Sequence, residues 1–99
     1  MADSPQPASL NLMVSAVVRR GENIEVRVDA VNVSETTVTL HAPDTVVISQ
    51  PHVQFIGQGT FQRTVHWTVE HAQPGPLMWV EITVSAGTLT QIGQCKIIG

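Results

Sequence analysis

The feature of this sequence that most restricts its fold is a regular alternation of apolar and polar residues near its first third. Apolar residues alternate with charged ones from Ile24 to Ala30 without interruption. A period of two places apolar side chains on one face of an extended strand and polar side chains on the other. This stretch is therefore predicted to be a β-strand with one buried face.

The same pattern recurs along most of the chain and predicts further strands. These strands are expected at residues 10–19, 24–33, 36–41, 61–70, 78–86 and 89–98, with two short pieces marked by Val46–Ile48 and Val53–Phe55. No segment carries an apolar stripe of helical period. About seven short strands separated by turn residues predict an all-β fold, an immunoglobulin-like antiparallel β-sandwich, with a small barrel as the alternative.

Turn residues set the expected limits of these strands. Gly21 is expected to take a positive φ in the turn at residues 20–23, and residues 86–88 to form a tight hairpin. Residues 34–35 and 57–59 are expected to end strands. The apolar residues change parity after Ala30, which predicts a β-bulge near Ala30 and Val31.

Composition divides the chain into a short leader and one domain. Residues 1–9 hold prolines and serines and are predicted to be a polar leader or linker, and residues 10–99 the sandwich. The total of 99 residues suits a single domain. An extracellular or cell-surface location is expected if the chain is a domain of a larger protein, and a cytoplasmic or virion-associated one if Met1 is the native start.

The charges and the hydropathy pattern argue against two classes of partner. Charged residues make up 13% of the chain, about half the usual share, and the net charge is −3. The basic residues are scattered, whereas nucleic-acid binding requires a clustered basic surface, so no nucleic-acid partner is expected. No apolar run approaches the length of a membrane helix, so no membrane insertion is expected.

No motif predicts catalysis or a bound cofactor. The sequence lacks a nucleophile elbow, a phosphate-binding loop and a dinucleotide fingerprint. His66 and Glu70 share a strand face but lie too far apart to bind one metal ion, and Cys95 is alone and expected to be a small, half-buried core residue. We predict that the protein is not an enzyme and binds no metal or cofactor.

The two tryptophans differ in their expected environment. Trp67 shares parity with Val65 and Val69 and is predicted to lie in the core. Trp79 shares parity with polar residues and is predicted to face outward, where it could anchor a protein interface or stack on a sugar. Simple alternation also turns three other apolar residues outward: Met13, Val17 and Ile56.

These four residues form the predicted interaction surface. Exposed apolar side chains on a surface with few charges suggest that one sheet face is covered by something. The expected partner is a protein, which could be a neighbouring domain, a second copy or an assembly partner. Carbohydrate bound through Trp79 is the alternative, although such sites usually offer several aromatic rings and the chain has no tyrosine.

The order of several short motifs resembles bacterial immunoglobulin-like modules of the cell-adhesion-related (CARDB) and galactosidase-associated kinds. The matching pieces span residues 10–99: Gly21–Val26, Val31–Val33, Gly57–Gly59, Val65–Val69 and Pro74–Gly75. The chain departs from that pattern around the Pro-Gly loop, where it has residues 71–73 and a second proline, Pro76. The resemblance implies a non-catalytic module of a surface or secreted protein, and no catalytic residue.

Three functions follow from these observations as hypotheses. The first is a structural or interaction module of a surface or secreted protein. The second is a stand-alone oligomeric structural subunit, such as a capsid-decorating or filament protein. The third is a carbohydrate-binding module that uses Trp79.

Overall fold

The computed structural model describes residues 7–75 and 78–99. They form an all-β fold whose main sheet curls over a single core. The strands are β1 (Ser9–Val14), β2 (Val17–Arg19), β3 (Asn23–His41), β4 (Val46–Val47), β5 (Val53–Thr68), β6 (His71–Ala72), β7 (Met78–Ala86) and β8 (Leu89–Ile98). The predicted fold class is confirmed as all-β and sandwich-like. No helix long and apolar enough to cross a membrane occurs in the described part of the chain.

The sheet is organised around β3, the longest strand. One edge of β3 pairs with β5 along almost its whole length. The other edge pairs first with β1, over residues 26–31, and then with β7, over residues 36–41. β8 pairs with β7, and β2 adds to β8 as the parallel member of an otherwise antiparallel main sheet. The short strands β4 and β6 pair with each other at one end.

The short connection between β1 and β2 requires β3 to fold back on itself. β1 lies beside the first half of β3, whereas β2 reaches the second half only through β8 and β7. Along a straight strand these two positions would lie tens of ångströms apart. Only Ser15 and Ala16 join β1 to β2, and they span about 10 Å at most. The two halves of β3 therefore lie in different layers.

Each layer takes half of β3 and half of β5. The first layer contains β1, residues 23–31 of β3 and residues 61–68 of β5. The second layer contains five strands in the order β5 (residues 53–57), β3 (residues 36–41), β7, β8 and β2. The layers meet where Leu12 and Val14 of β1 pack over Gly93 of β8.

Irregularities in the pairing of β3 with β5 allow the bend between the layers. The register shifts between Ala30 and Val33, which confirms the predicted bulge, and shifts again between Val33 and Thr36. Asn32 adopts a φ of 52° in the first of these shifts. Bulges of this kind bend a strand and increase its twist. The expectation that residues 34–35 and 57–59 end strands is wrong, because both long strands continue through these residues.

The core lies between the layers and confirms the main parity assignments. Ile24, Val26 and Val28 are fully buried, and so is Trp67. The indole Nε1 of Trp67 donates a hydrogen bond to the carbonyl oxygen of Pro51, 2.9 Å away. Because burying an unpaired N–H would be costly, this bond makes the tryptophan compatible with a dry core.

The predicted turns are also found. Gly21 has a φ of 89°, and its N–H donates to the carbonyl oxygen of Val69. Ala86 pairs with Leu89 across a two-residue connection in which Gly87 has a φ of 61°. Both glycines adopt the left-handed conformation that other residues avoid.

Candidate interaction surface

The structure distributes the four predicted surface residues over three environments. Trp79 and Val17 face outward from the second layer, with Trp79 51% exposed. Met13 is exposed on the outer side of the first layer, because it is in register with Arg27. Ile56 is 4% exposed and belongs to the core. The four residues therefore do not form one continuous surface.

The prediction that Ile56 faces outward is wrong because β5 contains an extra residue at this point. Thr36 pairs with Gly57 and the next residue, Thr37, pairs with Phe55, so Ile56 has no partner on β3. A bulged residue breaks the alternation of its strand. Its side chain turns into the core, while Val53 and Phe55, which simple alternation placed inward, are both exposed.

A row of three outward residues crosses the second layer at one end. Trp79 of β7 is in register with Lys96 of β8, and Lys96 is in register with Val17 of β2. Partners in register have Cβ atoms about 5 Å apart, so the three side chains are neighbours. Lys96 Nζ lies 5.5 Å from the centre of the Trp79 ring, which is a cation–π distance. We call these residues the Trp79 row.

Further apolar side chains lie on the same outer face. Val53, Thr39, Thr83 and Ile92 are in register across four strands and form a second row, which we call the Ile92 row. Val53 and Ile92, at its two ends, are both exposed. Ile98 extends the Trp79 row along β8, and Phe55 extends the Ile92 row along β5. The apolar residues thus reach from one side of the layer to the other.

The two outer faces carry similar numbers of charged side chains, since the first layer has Glu25, Arg27 and Asp29, and they differ in how these side chains are paired. Among the described outward residues of the second layer, the charged side chains are Arg19, Glu81 and Lys96. The first layer instead carries a polar network. Arg27 Nε lies 3.7 Å from Asp29, and Gln62 donates to Asp29 at 2.7 Å. A sheet face that exposes this many apolar and hydroxyl side chains is suited to contact with another protein.

Sequence reasoning missed some of the residues on this face. Ile92 shares parity with Gln94 and Lys96, while Cys95 and Ile97 are buried, so alternation along β8 could have placed it outward. No local signal could have identified Val53 and Phe55, because their orientation depends on the bulge at Ile56.

The described residues offer little that could perform covalent or metal chemistry. No group of three or more histidine, cysteine, aspartate or glutamate side chains among them could hold a metal ion. His66 lies 3.6 Å from Glu25 on the outer side of the first layer, and His52 Nε2 lies 3.2 Å from the carbonyl oxygen of Ile48. Burial raises the pKa of the Cys95 thiol to about 11, which suppresses its nucleophilic form.

Comparison with known proteins adds no identification. Neither a scan against models of protein families nor a search of curated proteins gives a match to this sequence.

Proposed function

We propose that this chain is a non-catalytic immunoglobulin-like module of a surface or secreted protein, and that it binds protein through the outer face of its five-stranded layer. The observation that carries the proposal is the contrast between the two outer faces. One exposes the apolar side chains of the Trp79 row and the Ile92 row, whereas the charged and polar side chains of the other are paired with one another. An exposed tryptophan among apolar neighbours is a frequent anchor of protein interfaces.

The pairing of the strands supports the immunoglobulin-like part of this proposal. Immunoglobulin sandwiches place their A, B and E strands in one sheet and their C, F and G strands in the other. In the present order, β1, the first half of β3 and the second half of β5 match A, B and E. The second half of β3, β7 and β8 match C, F and G.

A stand-alone oligomeric subunit is the second candidate, and the width of the apolar face favours it. Val53 and Phe55 lie on one edge strand of the second layer, and Val17 lies on the opposite edge strand. A partner that covers this face must therefore itself present a broad surface with exposed apolar side chains. A second copy of the chain has such a surface, and two copies can bury it through a two-fold contact.

The geometry gives the carbohydrate alternative no comparable support. Lys96 lies over the ring of Trp79. Phe55 and Ser85 are both in register with Thr37 of β3, and Ser85 is six residues from Trp79 along β7. The two exposed aromatic rings therefore lie about 20 Å apart along the strands and cannot stack on one sugar.

The proposal is tested by measuring the solution mass with light scattering over a wide range of concentrations. Trp79→Ser removes the anchor, and Met13→Ser is the matched control, since it removes an exposed apolar side chain from the other face. A mass that rises with concentration in the wild type and in Met13→Ser, but not in Trp79→Ser, assigns the chain to self-assembling subunits. A monomer in all three proteins favours the module within a larger protein. An oligomer that Trp79→Ser leaves intact contradicts the assignment of the interface to this face.

A further inference from the structure

The second half of β5 has an edge that the described residues leave largely open. Residues 61–68 pair with β3 on one side, and no described strand pairs with the other side. The open edge is closed only at its end. The Gln50 side chain accepts a hydrogen bond from the Thr68 N–H at 3.0 Å, and the Val47 carbonyl oxygen accepts one from the Glu70 N–H.

These two contacts identify the backbone groups that face the opening. The N–H groups of Thr68 and Glu70 point away from β3, and the direction alternates from one residue to the next along a strand. The N–H and C=O groups of Gln62, Thr64 and His66 therefore point toward the open edge. Together they offer three donors and three acceptors in an extended row, which is a template for another strand.

A groove of about 440 Å³ runs beside this edge. It lies between the two halves of β5, and Gln50 and Pro51 bound it at one end. Its apolar lining comes from Phe55, which is exposed, and from Ile56 and Val65, of which only 4% and 8% is exposed. An added strand would therefore have an apolar surface on its inner side, in addition to backbone partners along its edge.

Arg63 gives the groove a charge preference. It is in register with Val28 of the core, so it extends from the inner side of β5 at the edge, where it is exposed and lines the groove. The ion pairs among the described residues join Arg27 to Asp29 and His66 to Glu25, and neither includes Arg63. A guanidinium that has no carboxylate partner within the protein can bind a carboxylate of a ligand.

We propose that this edge binds an extended, acidic segment of a partner protein by strand addition. The segment pairs its backbone with Gln62, Thr64 and His66. Because Arg63 and Val65 are two residues apart on the same side of β5, the segment presents an acidic residue opposite Arg63 and an apolar residue opposite Val65, with one residue between them. The groove shares Phe55 with the outer face of the second layer but contains no residue of the Trp79 row, so the two proposals can be tested separately.

The test uses the full chain and a fluorescein-labelled peptide of about seven residues, a usual strand length. The peptide consists of threonines with one valine and one aspartate separated by a single position, and a second peptide has lysine in place of the aspartate. Binding is measured by fluorescence anisotropy, and the bound residues are located by amide hydrogen exchange followed by NMR. We expect the aspartate peptide to slow exchange at Thr64 and His66 and to bind more tightly than the lysine peptide.

Two variants separate the contributions of the backbone and the charge. Thr64→Pro removes a donor that faces the opening, and proline is tolerated at such edge positions. We expect it to abolish binding. Arg63→Glu is expected to weaken the aspartate peptide about tenfold and to favour the lysine peptide, since an attractive pair becomes a repulsive one. Arg20→Glu, in the turn between β2 and β3, is the matched control, because Arg20 is also exposed and belongs to neither ion pair of the described residues, and it is expected to change binding less than about twofold.

Three results would overturn the proposal. The first is the absence of slowed exchange at Thr64 and His66 with saturating aspartate peptide. The second is binding that survives Arg63→Glu and Thr64→Pro unchanged. The third is slowed exchange at this edge that rises with the concentration of the protein alone, because a second copy would then be the occupant. None of these results would bear on the Trp79 row, which is tested by the solution mass of Trp79→Ser.

Discussion

The packing of β1 over β8 leads to a quantitative prediction for Gly93→Ala. A methyl group at this position would lie 2.6 Å from Val14 Cγ2 and 3.3 Å from Leu12 Cδ2. Carbon atoms in contact are normally about 3.5–4.0 Å apart, so the nearer approach is about 1 Å too close. Valine is restricted at χ1 and cannot rotate freely away. The substitution therefore forces the two layers apart or distorts β1.

The expected cost follows from two opposing contributions. Overpacking of this kind costs about 2 kcal/mol. Replacing a glycine within a strand by alanine stabilises the folded state by about 0.7 kcal/mol, because the unfolded chain loses conformational entropy. The net loss is about 1.3 kcal/mol in the free energy of unfolding, which lowers the Tm of a domain of this size by roughly 5–10 °C. Urea denaturation followed by circular dichroism measures the loss.

A double-mutant cycle with Val14→Ala identifies the cause of that loss. Val14→Ala alone is expected to cost about 1 kcal/mol, because Val14 is only partly buried. It also removes the methyl group that Gly93→Ala would contact. The double variant should therefore be more stable than the sum of the single effects predicts, by about 2 kcal/mol. Met13→Ala, whose side chain faces away from β8, is the control and should combine additively with Gly93→Ala. Additivity within about 0.5 kcal/mol for the Val14 pair would refute the packing of β1 on β8.

Four further predictions test the core and the open edge. Trp67→Phe is expected to lower the free energy of unfolding by roughly 2–3 kcal/mol, because it loses apolar burial and the hydrogen bond to the Pro51 carbonyl oxygen. Trp79→Phe should lower it by less than about 1 kcal/mol. Urea denaturation measures both values, and equal losses would contradict the assigned environments. The Cys95 thiol has a pKa of about 11 in the folded protein against 9.0 for an exposed thiol. At pH 8, alkylation by iodoacetamide should therefore be at least about a hundredfold slower in the native protein than in urea. The Cys95 contribution to the free energy of unfolding, measured as the difference between the wild type and Cys95→Ala, should decrease as the pH rises from about 9 to 11, because the unfolded thiol ionises in that window and the buried one does not; a difference that stays constant over this range would contradict the burial of this thiol. Arg63→Val is expected to raise the solution mass through pairing of open edges, measured by light scattering in the Trp79→Ser background, and a monomer at high concentration would contradict this.

Local alternation predicted the strands whose pairing stays in one register. It identified residues 24–30 and the hairpin of β7 and β8, and it separated Trp67 from Trp79 by parity alone. It also located the bulge after Ala30. In each case the pattern reflects burial on one side of the sheet, and burial affects every second residue.

Alternation failed where a strand passes from one layer to the other. Residues 34–35 and 57–59 have the composition of turns, and they lie where β3 and β5 bend. The bend keeps the two strands paired, so neither strand ends there. Whether each strand continues depends on the long-range register between β3 and β5, and the sequence of one strand does not reveal that register.

The candidate surface was only partly predictable for a related reason. The parity of a residue within its strand predicts whether its side chain faces the core or the solvent. It does not predict on which layer's outer face an exposed side chain lies. Met13 and Val17 are four residues apart and both exposed, yet they lie on opposite faces, because the chain changes layers at Ser15 and Ala16. The alignment of Trp79, Lys96 and Val17 required the pairing of three strands that are distant in sequence.

At the open edge of β5, the charge of Arg63 has two effects: it disfavours pairing with a second copy of the chain, and it favours an acidic partner. Inward-pointing charged residues on edge strands discourage pairing between identical copies. If two copies paired there antiparallel around Thr64, each Arg63 would lie opposite the apolar Val65 of the other copy, and the two guanidinium groups would lie diagonally across from each other. Both arginines would lose water without gaining a carboxylate, which is unfavourable. An acidic segment supplies that carboxylate, so the same side chain disfavours a second copy and favours the partner.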